Sequence, residues 1–257
     1  MSAVGRWLEH PLARGLDPDD PRTTRIRRRI VAAKPFLRRI YLEWYERLLA
    51  KLPAVDGVIL ELGSGAGFFS EVCPQAITSE VFRCDGVDSV VDARKLPFRG
   101  GSLRAIVMTD VMHHIPDCAM FLREAEHTLK PGGRIVMVEP WVSLWSTFVY
   151  TRFHPEPFRV DAPDWDFPPS GPLSGANGAI PWLVFERDFE RFRREFPSLQ
   201  LCSVEPFMPF RYLLSGGVSM RTLMPGWTFA FWRRLEEMLA PMSQYLAMFA
   251  LITAERR

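Results

Sequence analysis

The amino-acid sequence predicts an α/β fold, a doubly wound and mostly parallel sheet with helices on both faces. Short apolar runs rich in β-branched residues alternate with segments whose apolar residues recur at helical spacing. A turn crowded with glycines follows the first of these runs. Strands that alternate with helices pair in parallel, because each crossover returns the chain to the same edge of the sheet. Ligands of such sheets bind at the carboxyl ends of the strands.

The strand predictions start from the stretch VILEL at residues 58–62. It is apolar at almost every position, which is typical of a strand covered on both faces. Further strands are expected at residues 76–81, 89–92, 105–110, 134–139, 199–204 and 248–254.

The helix predictions start in the N-terminal region. Thr23 and Thr24 are suitable N-caps for a helix that begins near Arg25, after an extended arm over residues 1–21. Pro35 suits the first turn of a second helix. We interpret the apolar stripe of this helix as core packing, with a substrate wall as the alternative. Other helices are expected at residues 68–72, 120–129, 183–196 and 228–239.

The length of 257 residues favours one α/β domain with additions. We expect an N-terminal helical arm or cap over residues 1–52 and the main domain over residues 53–257. Residues 141–182 are rich in Trp, Pro and Gly, and a loop region this long is usually functional. It is predicted to be a substrate-binding insertion, with a lid at residues 170–182 hinged at Gly171, Gly175 and Gly178.

The charge and the cysteines exclude several classes of protein. A net charge of +2 argues against bulk nucleic-acid binding. Residues 1–52 carry twelve Lys or Arg and six Asp or Glu, which indicates either a solvated helix face or a contact with an anionic substrate or membrane surface. The four cysteines form no C-x-x-C pair, so neither a zinc pattern nor a disulfide framework is expected. Because the first residues are too polar for a secretory signal, a cytoplasmic location is expected.

The glycine turn has the spacing Gly63-x-Gly65-x-Gly67. This differs from the G-x-G-x-x-G of dinucleotide-binding enzymes, and no Lys-Ser or Lys-Thr pair follows it as in a P-loop. A tight turn with no ligand remains the alternative, because glycine fills such turns for conformational reasons alone.

Four blocks together resemble the class I S-adenosylmethionine-dependent methyltransferases, in particular the small-molecule type with an E-x-G-x-G-x-G motif. The blocks are ILELGSGAG, VDARKLPF, AIVMTDVMHHI and LKPGGRIVMVEP, and they span about residues 55–140. The chain also looks similar to uncharacterised bacterial proteins of this group. The resemblance implies a Rossmann-like sheet of seven strands that ends in an antiparallel hairpin, with S-adenosylmethionine as the cofactor.

The resemblance also implies which residues bind the amino-acid end and the ribose of the cofactor. Glu61 is expected to accept the methionine ammonium in a charge-assisted hydrogen bond. Glu80 is expected to accept the ribose hydroxyls, with Asp85 and Asp88 as competitors. The backbone of the turn is expected to lie against the ligand at Gly63, Ser64, Gly65 and Gly67.

The resemblance also implies which residues contact the adenine and the methionine part of the cofactor. By resemblance, Asp92 accepts the adenine amino group and the backbone N–H of Ala93 meets the ring. Thr109 and Asp110 are expected beneath the methionine part of the cofactor.

Three histidines are the candidate catalytic residues. A histidine with an unperturbed pKa of about 6.5 can serve as a general base, which makes His113, His114 and His154 the candidates. The alternative is that His113 or His114 packs against the cofactor or caps the next helix. No metal is expected, because these two residues are adjacent and nothing near them in sequence completes a ligand set.

The acceptor is expected to be a small apolar or aromatic molecule, because the segments outside the shared core are rich in aromatic residues. We favour O-methylation, which the residues alone do not determine. The rivals are a membrane-surface methyltransferase acting on a lipid-linked or quinone-like precursor, a non-catalytic cofactor-binding protein, and a nicotinamide oxidoreductase. The sequence leaves the oligomeric state open.

Overall fold

A seven-stranded sheet runs through the protein, and the predicted fold class is confirmed. The computed structural model describes residues 9–17, 19–154, 156–168, 171 and 175–257. The strand order is β3-β2-β1-β4-β5-β7-β6. The strands β1 to β5 are parallel, and β7 pairs antiparallel with both β5 and β6. Their bounds are β1 Val58–Leu62, β2 Ala76–Glu80, β3 Ser89–Val90, β4 Leu103–Thr109, β5 Leu129–Pro140, β6 Leu199–Phe207 and β7 Phe249–Arg256.

Helices cover the sheet. Short turns of 3₁₀ helix occur at Pro11–Ala13, Met112–His114, Gly226–Thr228 and Ala240–Met242, and one π turn spans Leu183–Arg187. The α-helices are α1 Pro21–Ala33, α2 Pro35–Ala50, α3 Phe69–Val72, α4 Cys118–Thr128, α5 Leu144–Phe153, α6 Ile180–Trp182, α7 Phe189–Glu195, α8 Arg211–Ser215, α9 Phe229–Met238 and α10 Ser243–Leu246.

The first helix begins earlier than the sequence predicts. Asp20 is its N-cap, and its carboxylate accepts the backbone N–H of Arg22 at 2.8 Å. Pro21 occupies the first helical position, where its missing N–H costs nothing. Thr23 and Thr24 therefore lie inside the helix, and the prediction that they cap it was wrong. Of the predicted extended arm, residues 1–8 and residue 18 lie outside the described residues.

The described part of segment 141–182 contains two helices. It contains α5, which starts with a capping box between Ser143 and Ser146, and ends in α6. A single helix was predicted for residues 183–196. The first five of these residues form the π turn, and α7 begins at Phe189. Within the described residues, no helix combines the length and the apolar character needed to cross a membrane.

The N-terminal helices share the core of the sheet. Seven residues of α2, from Phe36 to Leu48, are buried in the same apolar cluster as the strands. The Trp44 ring lies 4.9 Å from Phe249 of β7 and 5.4 Å from Tyr212 of α8. Interpreting the apolar stripe of α2 as core packing therefore agrees with its position.

A buried ionic network joins α2, α8 and α9. The guanidinium of Arg211 contacts Glu43 at 2.6 Å and also hydrogen-bonds Glu236. Glu236 accepts two further hydrogen bonds, from the backbone N–H groups of Phe210 and Arg211. Because all three charged groups are largely buried, each depends on the others to replace its lost hydration.

We expect Arg211→Met to lower the free energy of unfolding by about 3–5 kcal/mol, because it leaves two buried carboxylates without a cation. Urea unfolding followed by circular dichroism measures this change. The matched control is Arg233→Met, which breaks an exposed pair with Glu237 and should cost less than about 1 kcal/mol. Equal losses in the two variants would show that the buried network does not hold the three helices together.

Candidate functional site

The carboxyl ends of four adjacent strands bring the candidate residues to one edge of the sheet. Glu61 lies in β1, Glu80 ends β2, Thr109 ends β4, and Glu139 lies in β5 one residue before its end. These strands are neighbours in the order β2-β1-β4-β5. This is the edge at which parallel sheets bind ligands.

The glycine turn fits tightly between two other parts of the chain. Gly63 has a φ of 64°, and a Cβ there would lie 2.5 Å from a methyl group of Val111. A Cβ on Gly67 would lie 2.3 Å from the hydroxyl of Tyr45 in α2. Packing alone therefore requires glycine at these two positions. Their presence does not by itself distinguish a ligand-binding turn from a plain one.

Glu61 is a buried carboxylate whose described hydrogen-bond partner is a hydroxyl. The Ser64 hydroxyl donates to its Oε2 at 2.5 Å. Burial raises the pKa of Glu61 to about 7; Ser64 opposes the shift, and the charge of Glu80 adds to it. A ligand ammonium beside this carboxylate would favour its ionised form.

Glu80 is also buried, but the glycine turn already engages it. Its two carboxylate oxygens accept the backbone N–H of Gly65 at 2.9 Å and that of Val81 at 3.0 Å. Burial raises its pKa, and these two hydrogen bonds oppose the shift. The competing Asp88 is held by the backbone and hydroxyl of Thr78, at 2.9 Å and 2.7 Å.

Arg28 connects the first helix to the cofactor edge. Its guanidinium donates to the carbonyl of Gly65 at 3.0 Å and to that of Asp85 at 2.9 Å. It also lines, with Glu61 and Ser64, a cleft beside the glycine turn. The basic N-terminal region therefore places at least one arginine against the predicted cofactor site.

Asp92 lies just beyond β3, in a turn closed by its own neighbour. The Arg94 guanidinium contacts its carboxylate at 2.7 Å, and the backbone N–H of Arg94 donates to it at 2.9 Å. The side-chain hydrogen bond from Arg94 lowers the pKa of Asp92, although partial burial opposes this shift. Ala93 is partly buried against the core. An adenine amino group would share this ionised carboxylate with Arg94.

Asp110 follows β4 in a strained conformation. Its φ is 64°, a region that non-glycine residues rarely adopt and that recurs at functional sites. Its N–H donates to the carbonyl of Val138 at 2.8 Å. Its side chain is 31% exposed. Partial burial raises the pKa of the carboxyl to about 6, because the loss of hydration outweighs the opposing charge of His113.

Glu139 holds the chain that follows Asp110. Its carboxylate is fully buried and accepts the backbone N–H groups of Val111 at 2.8 Å and Met112 at 2.7 Å. The second oxygen contacts Nδ1 of His113 at 2.8 Å. Since a carboxylate only accepts, this nitrogen of His113 carries the proton. The sequence analysis did not assign Glu139 a function.

The two adjacent histidines and a distant glutamate converge beyond this anchor. His113 Nε2 lies 3.8 Å and His114 Nε2 lies 4.0 Å from Oε2 of Glu156. His114 Nδ1 donates to the carbonyl of Gly175 at 3.1 Å. The argument that nothing completes a ligand set with these histidines was therefore wrong, because the insertion folds Glu156 back onto them.

The charges of this cluster depend on one another. Burial opposes the positive charge of His113, but contact with Glu139 and Glu156 and the charge of Asp110 together outweigh it and raise the pKa of His113 well above 6.5. Burial, together with the charge of His113, lowers the pKa of His114 to about 4. Burial would raise the pKa of Glu156, but contact with His113 and the charges of the nearby histidines lower it to about 2.

His154 lies at the side of the cluster. Its Nδ1 accepts the backbone N–H of Glu156 at 3.3 Å and lies 3.8 Å from the Glu156 carboxylate. Its ring packs edge-on against Tyr150 at 5.6 Å. The structure thus brings all three candidate histidines to one place, where Glu156 lies between them.

The insertion is tied to the catalytic side of the sheet by its backbone. The N–H of Asn177 donates to the carbonyl of His113 at 2.9 Å, and the N–H of Gly178 donates to that of Pro157 at 2.9 Å. A Cβ on Gly178 would lie 2.8 Å from the ring of Phe158, so this glycine is packed. Of the predicted lid, residues 170 and 172–174 lie outside the described residues.

Comparison with known proteins agrees with this geometry. Residues 33–199 match a family described as methyltransferase domain, which covers the whole edge from the glycine turn to the insertion. The chain belongs to this methyltransferase family. The expected class, an S-adenosylmethionine-dependent methyltransferase of class I, is confirmed at this level.

Solved structures of methyltransferases share the fold. Geranyl diphosphate C-methyltransferase from Streptomyces coelicolor, solved with Mg²⁺, geranyl diphosphate and S-adenosyl-L-homocysteine, is 15% identical, with 97% of this chain and 89% of that chain covered and a TM-score of 0.51. A geranyl diphosphate methyltransferase solved with S-adenosylmethionine is 17% identical, with 97% and 96% covered and a TM-score of 0.52. An S-adenosylmethionine-dependent methyltransferase from Thermotoga maritima is 16% identical, with 84% and 89% covered and a TM-score of 0.52. These structures support the predicted cofactor.

A shorter likeness connects the chain with an uncharacterised 37.1 kDa protein of transposon TN4556 from Streptomyces fradiae. The two are 44% identical over 54 residues, which is 21% of this chain and 16% of that protein. The match thus spans less than a fifth of that relative.

The predicted pairing of Glu61 with the methionine ammonium, together with the raised pKa of this carboxyl, predicts that cofactor binding depends on pH. Below a pKa of about 7 the carboxyl is protonated, while pairing with the methionine ammonium requires the ionised form. We therefore expect the affinity for S-adenosylhomocysteine to rise by about tenfold per pH unit as pH increases from 5.5 to 6.5, with release of about one proton on binding.

Calorimetry in two buffers of different ionisation enthalpy measures both quantities. Glu61→Gln should bind weakly and without this pH dependence. Glu190→Gln, which alters an exposed acid of α7 that pairs with Arg193, should keep the wild-type profile. A wild-type affinity that is constant over this range would show that Glu61 does not pair with the ammonium.

Proposed function

We propose that the protein transfers the methyl group of S-adenosylmethionine to an oxygen of a small, apolar or aromatic acceptor. The observation that carries this proposal is the arrangement of acids along the carboxyl edge. Glu61, Glu80 and Asp92 lie at successive strand ends beside the glycine turn, where they would meet the ammonium, ribose and adenine of the cofactor. Asp110 and the histidines lie at the next strand end, on the side left for the acceptor.

The histidine cluster supports oxygen as the methylated atom. The sulfonium already activates the methyl group, so the protein mainly has to align the nucleophile and remove its proton. A hydroxyl nucleophile needs a nearby group that accepts its proton. The carboxylates of Asp110 and Glu156 lie 4.0 Å and 3.8 Å from His113 Nε2, so several possible proton acceptors lie together here. Burial lowers the pKa of both His114 and His154, so both imidazoles are neutral at physiological pH and each is a candidate general base.

Aromatic side chains support an apolar acceptor. The ring of Tyr150 stacks on Phe158 at 4.7 Å and packs edge-on against His154 at 5.6 Å. Aromatic side chains therefore lie beside the histidine cluster. Neutral aromatic walls around a few polar groups are typical of sites for flat or apolar ligands.

The cofactor assignment is tested by titrating S-adenosylmethionine into wild-type protein and into Asp92→Ala. Loss of a charge-assisted hydrogen bond should weaken binding by about 10–100-fold. Asp56→Ala is the matched control, because this exposed aspartate precedes the amino end of β1, at the end of the sheet opposite the candidate site, and the affinity of this variant should stay within about twofold. Equal affinities in all three proteins would refute the assignment of Asp92.

A second candidate is a membrane-surface methyltransferase that acts on a lipid-linked precursor. A specific observation favours it: large apolar side chains are exposed on α5, α9, α10 and the turns beside them. They are Leu144, Phe148, Phe153, Trp227, Phe231, Met238, Met242 and Tyr245. α5 contacts α10, and α9 contacts the Ala240–Met242 turn, so the helices that carry these side chains are neighbours. Apolar patches of this kind mark interaction sites.

Flotation with liposomes that contain anionic lipid tests this candidate. If the surface binds membranes, wild-type protein floats, and the double variant Phe231→Ser, Met238→Ser remains with the unbound protein. The control Val81→Ser, Val90→Ser removes two other exposed apolar side chains and should float like the wild type. Wild-type protein that stays unbound would exclude this candidate and leave the first proposal, in which the acceptor diffuses freely in water.

A further inference from the structure

We propose that His113, His114 and Glu156 form a binding site for a divalent transition-metal ion that holds the acceptor. The inference deepens the proposed methyl transfer, on which the assignment of the acceptor rests, but the metal site itself is argued from the geometry of the three side chains. One ligand atom from each residue lies within 4.8 Å of the others.

The distances fit an ion better than direct hydrogen bonds. The two separations from Glu156 Oε2 to the histidine Nε2 atoms, 3.8 Å and 4.0 Å, exceed the usual limit for a hydrogen bond of about 3.2 Å. Two ligand atoms that each lie about 2.1 Å from one ion are separated by at most about 4.2 Å. These contacts are too long for direct hydrogen bonds and lie just under the maximum for two ligands of one ion. A movement of the partly exposed Glu156 toward the histidines by about half an ångström gives the spacing of about 3.4 Å between neighbouring tetrahedral ligands.

The other ring nitrogens are arranged as in metal sites. His113 donates its Nδ1–H to the buried Glu139, and His114 donates its Nδ1–H to the carbonyl of Gly175. These bonds direct both Nε2 atoms toward Glu156, and a carboxylate behind a histidine is the usual second contact of a metal ligand. The ion takes the place of a proton on His113 Nε2. His154 is excluded as a ligand through Nδ1, which already accepts the backbone N–H of Glu156.

The ligand types select the ion. Two imidazoles and one carboxylate suit Zn²⁺, Mn²⁺, Fe²⁺ or Co²⁺, whereas Mg²⁺ and Ca²⁺ prefer oxygen ligands alone. Asp110 Oδ1, 4.0 Å from His113 Nε2, lies near enough to contact a water bound to the ion. His113 is 2% exposed, but Glu156 is 33% exposed, so the remaining coordination positions open toward solvent and the acceptor.

These open positions define an acceptor class. Three protein ligands leave adjacent positions on the ion, which suit an acceptor with two neighbouring oxygen atoms, such as a catechol or a hydroxyl beside a carbonyl. Coordination lowers the pKa of the hydroxyl, whose proton passes to solvent. A lone pair of that oxygen forms the bond to the methyl carbon, the carbon–sulfur bond breaks, and its electron pair stays on sulfur, which gives S-adenosylhomocysteine.

The test is a calorimetric titration of Co²⁺ and Zn²⁺ into chelator-treated protein, with the visible spectrum of bound Co²⁺ as a second readout. We expect one equivalent to bind to wild type. His114→Gln and Glu156→Gln should each weaken binding by more than about 100-fold. His154→Gln, a neighbouring histidine outside the ligand set, should bind within about threefold of wild type. Thermal unfolding confirms that each variant is folded.

The same proteins are titrated with S-adenosylhomocysteine, which separates the two claims. Metal binding without cofactor binding would leave the metal site standing and refute the proposed function. Cofactor binding without stoichiometric metal, or metal binding that His114→Gln and Glu156→Gln leave unchanged, would overturn the metal site and leave the methyltransferase assignment intact.

Discussion

The acceptor side of this methyltransferase depends on one buried carboxylate. Glu139 has no exposed surface, and burying an ion in the protein interior is costly unless hydrogen bonds replace its hydration. The replacements are two backbone N–H groups and one imidazole N–H, all from the residues that follow β4. The carboxylate and the loop therefore stabilise each other. This mutual dependence fixes the chain path that places Asp110, His113 and His114 at the edge of the sheet.

The same interaction couples the insertion to the sheet. His113 is oriented by Glu139 on one side, while its carbonyl accepts the N–H of Asn177 and its ring faces Glu156. The insertion thus contributes a carboxylate and a backbone contact to the loop that follows β4. The proposed cofactor half of the site is built locally, from the turn after β1 and the end of β2. The proposed acceptor half is assembled from β4, β5 and the insertion.

The elements with a strong local pattern could be predicted from the sequence. The strand VILEL has the predicted bounds, and the glycine turn that follows it has the expected backbone conformation at Gly63 and Gly65. The N-cap of α1 was mispredicted because three residues within five positions can cap a helix. They are Asp20, Thr23 and Thr24, and Asp20, which precedes Pro21, forms the cap.

The contacts that complete the site are long-range and leave no local signal. Glu139 meets His113 across 26 residues because β4 and β5 are neighbours in the sheet, and an acid at the end of an otherwise apolar strand was the available hint. Arg28 donates a hydrogen bond to the carbonyl of Gly65, 37 residues away in the sequence. The sequence of its helix shows a basic segment but does not indicate which arginine makes this contact. Glu156 lies in a stretch without helical or strand periodicity, so its return to the histidines depends on tertiary packing.

The central claim is that the cofactor and the acceptor occupy the two halves of one edge. A crystal structure with bound S-adenosylhomocysteine tests this most directly. The account predicts the ammonium beside Glu61, the adenine beside Asp92 and Ala93, and the sulfur directed toward Asp110 and the histidine cluster. A ligand bound elsewhere, or with its sulfur directed away from Asp110, would contradict the account.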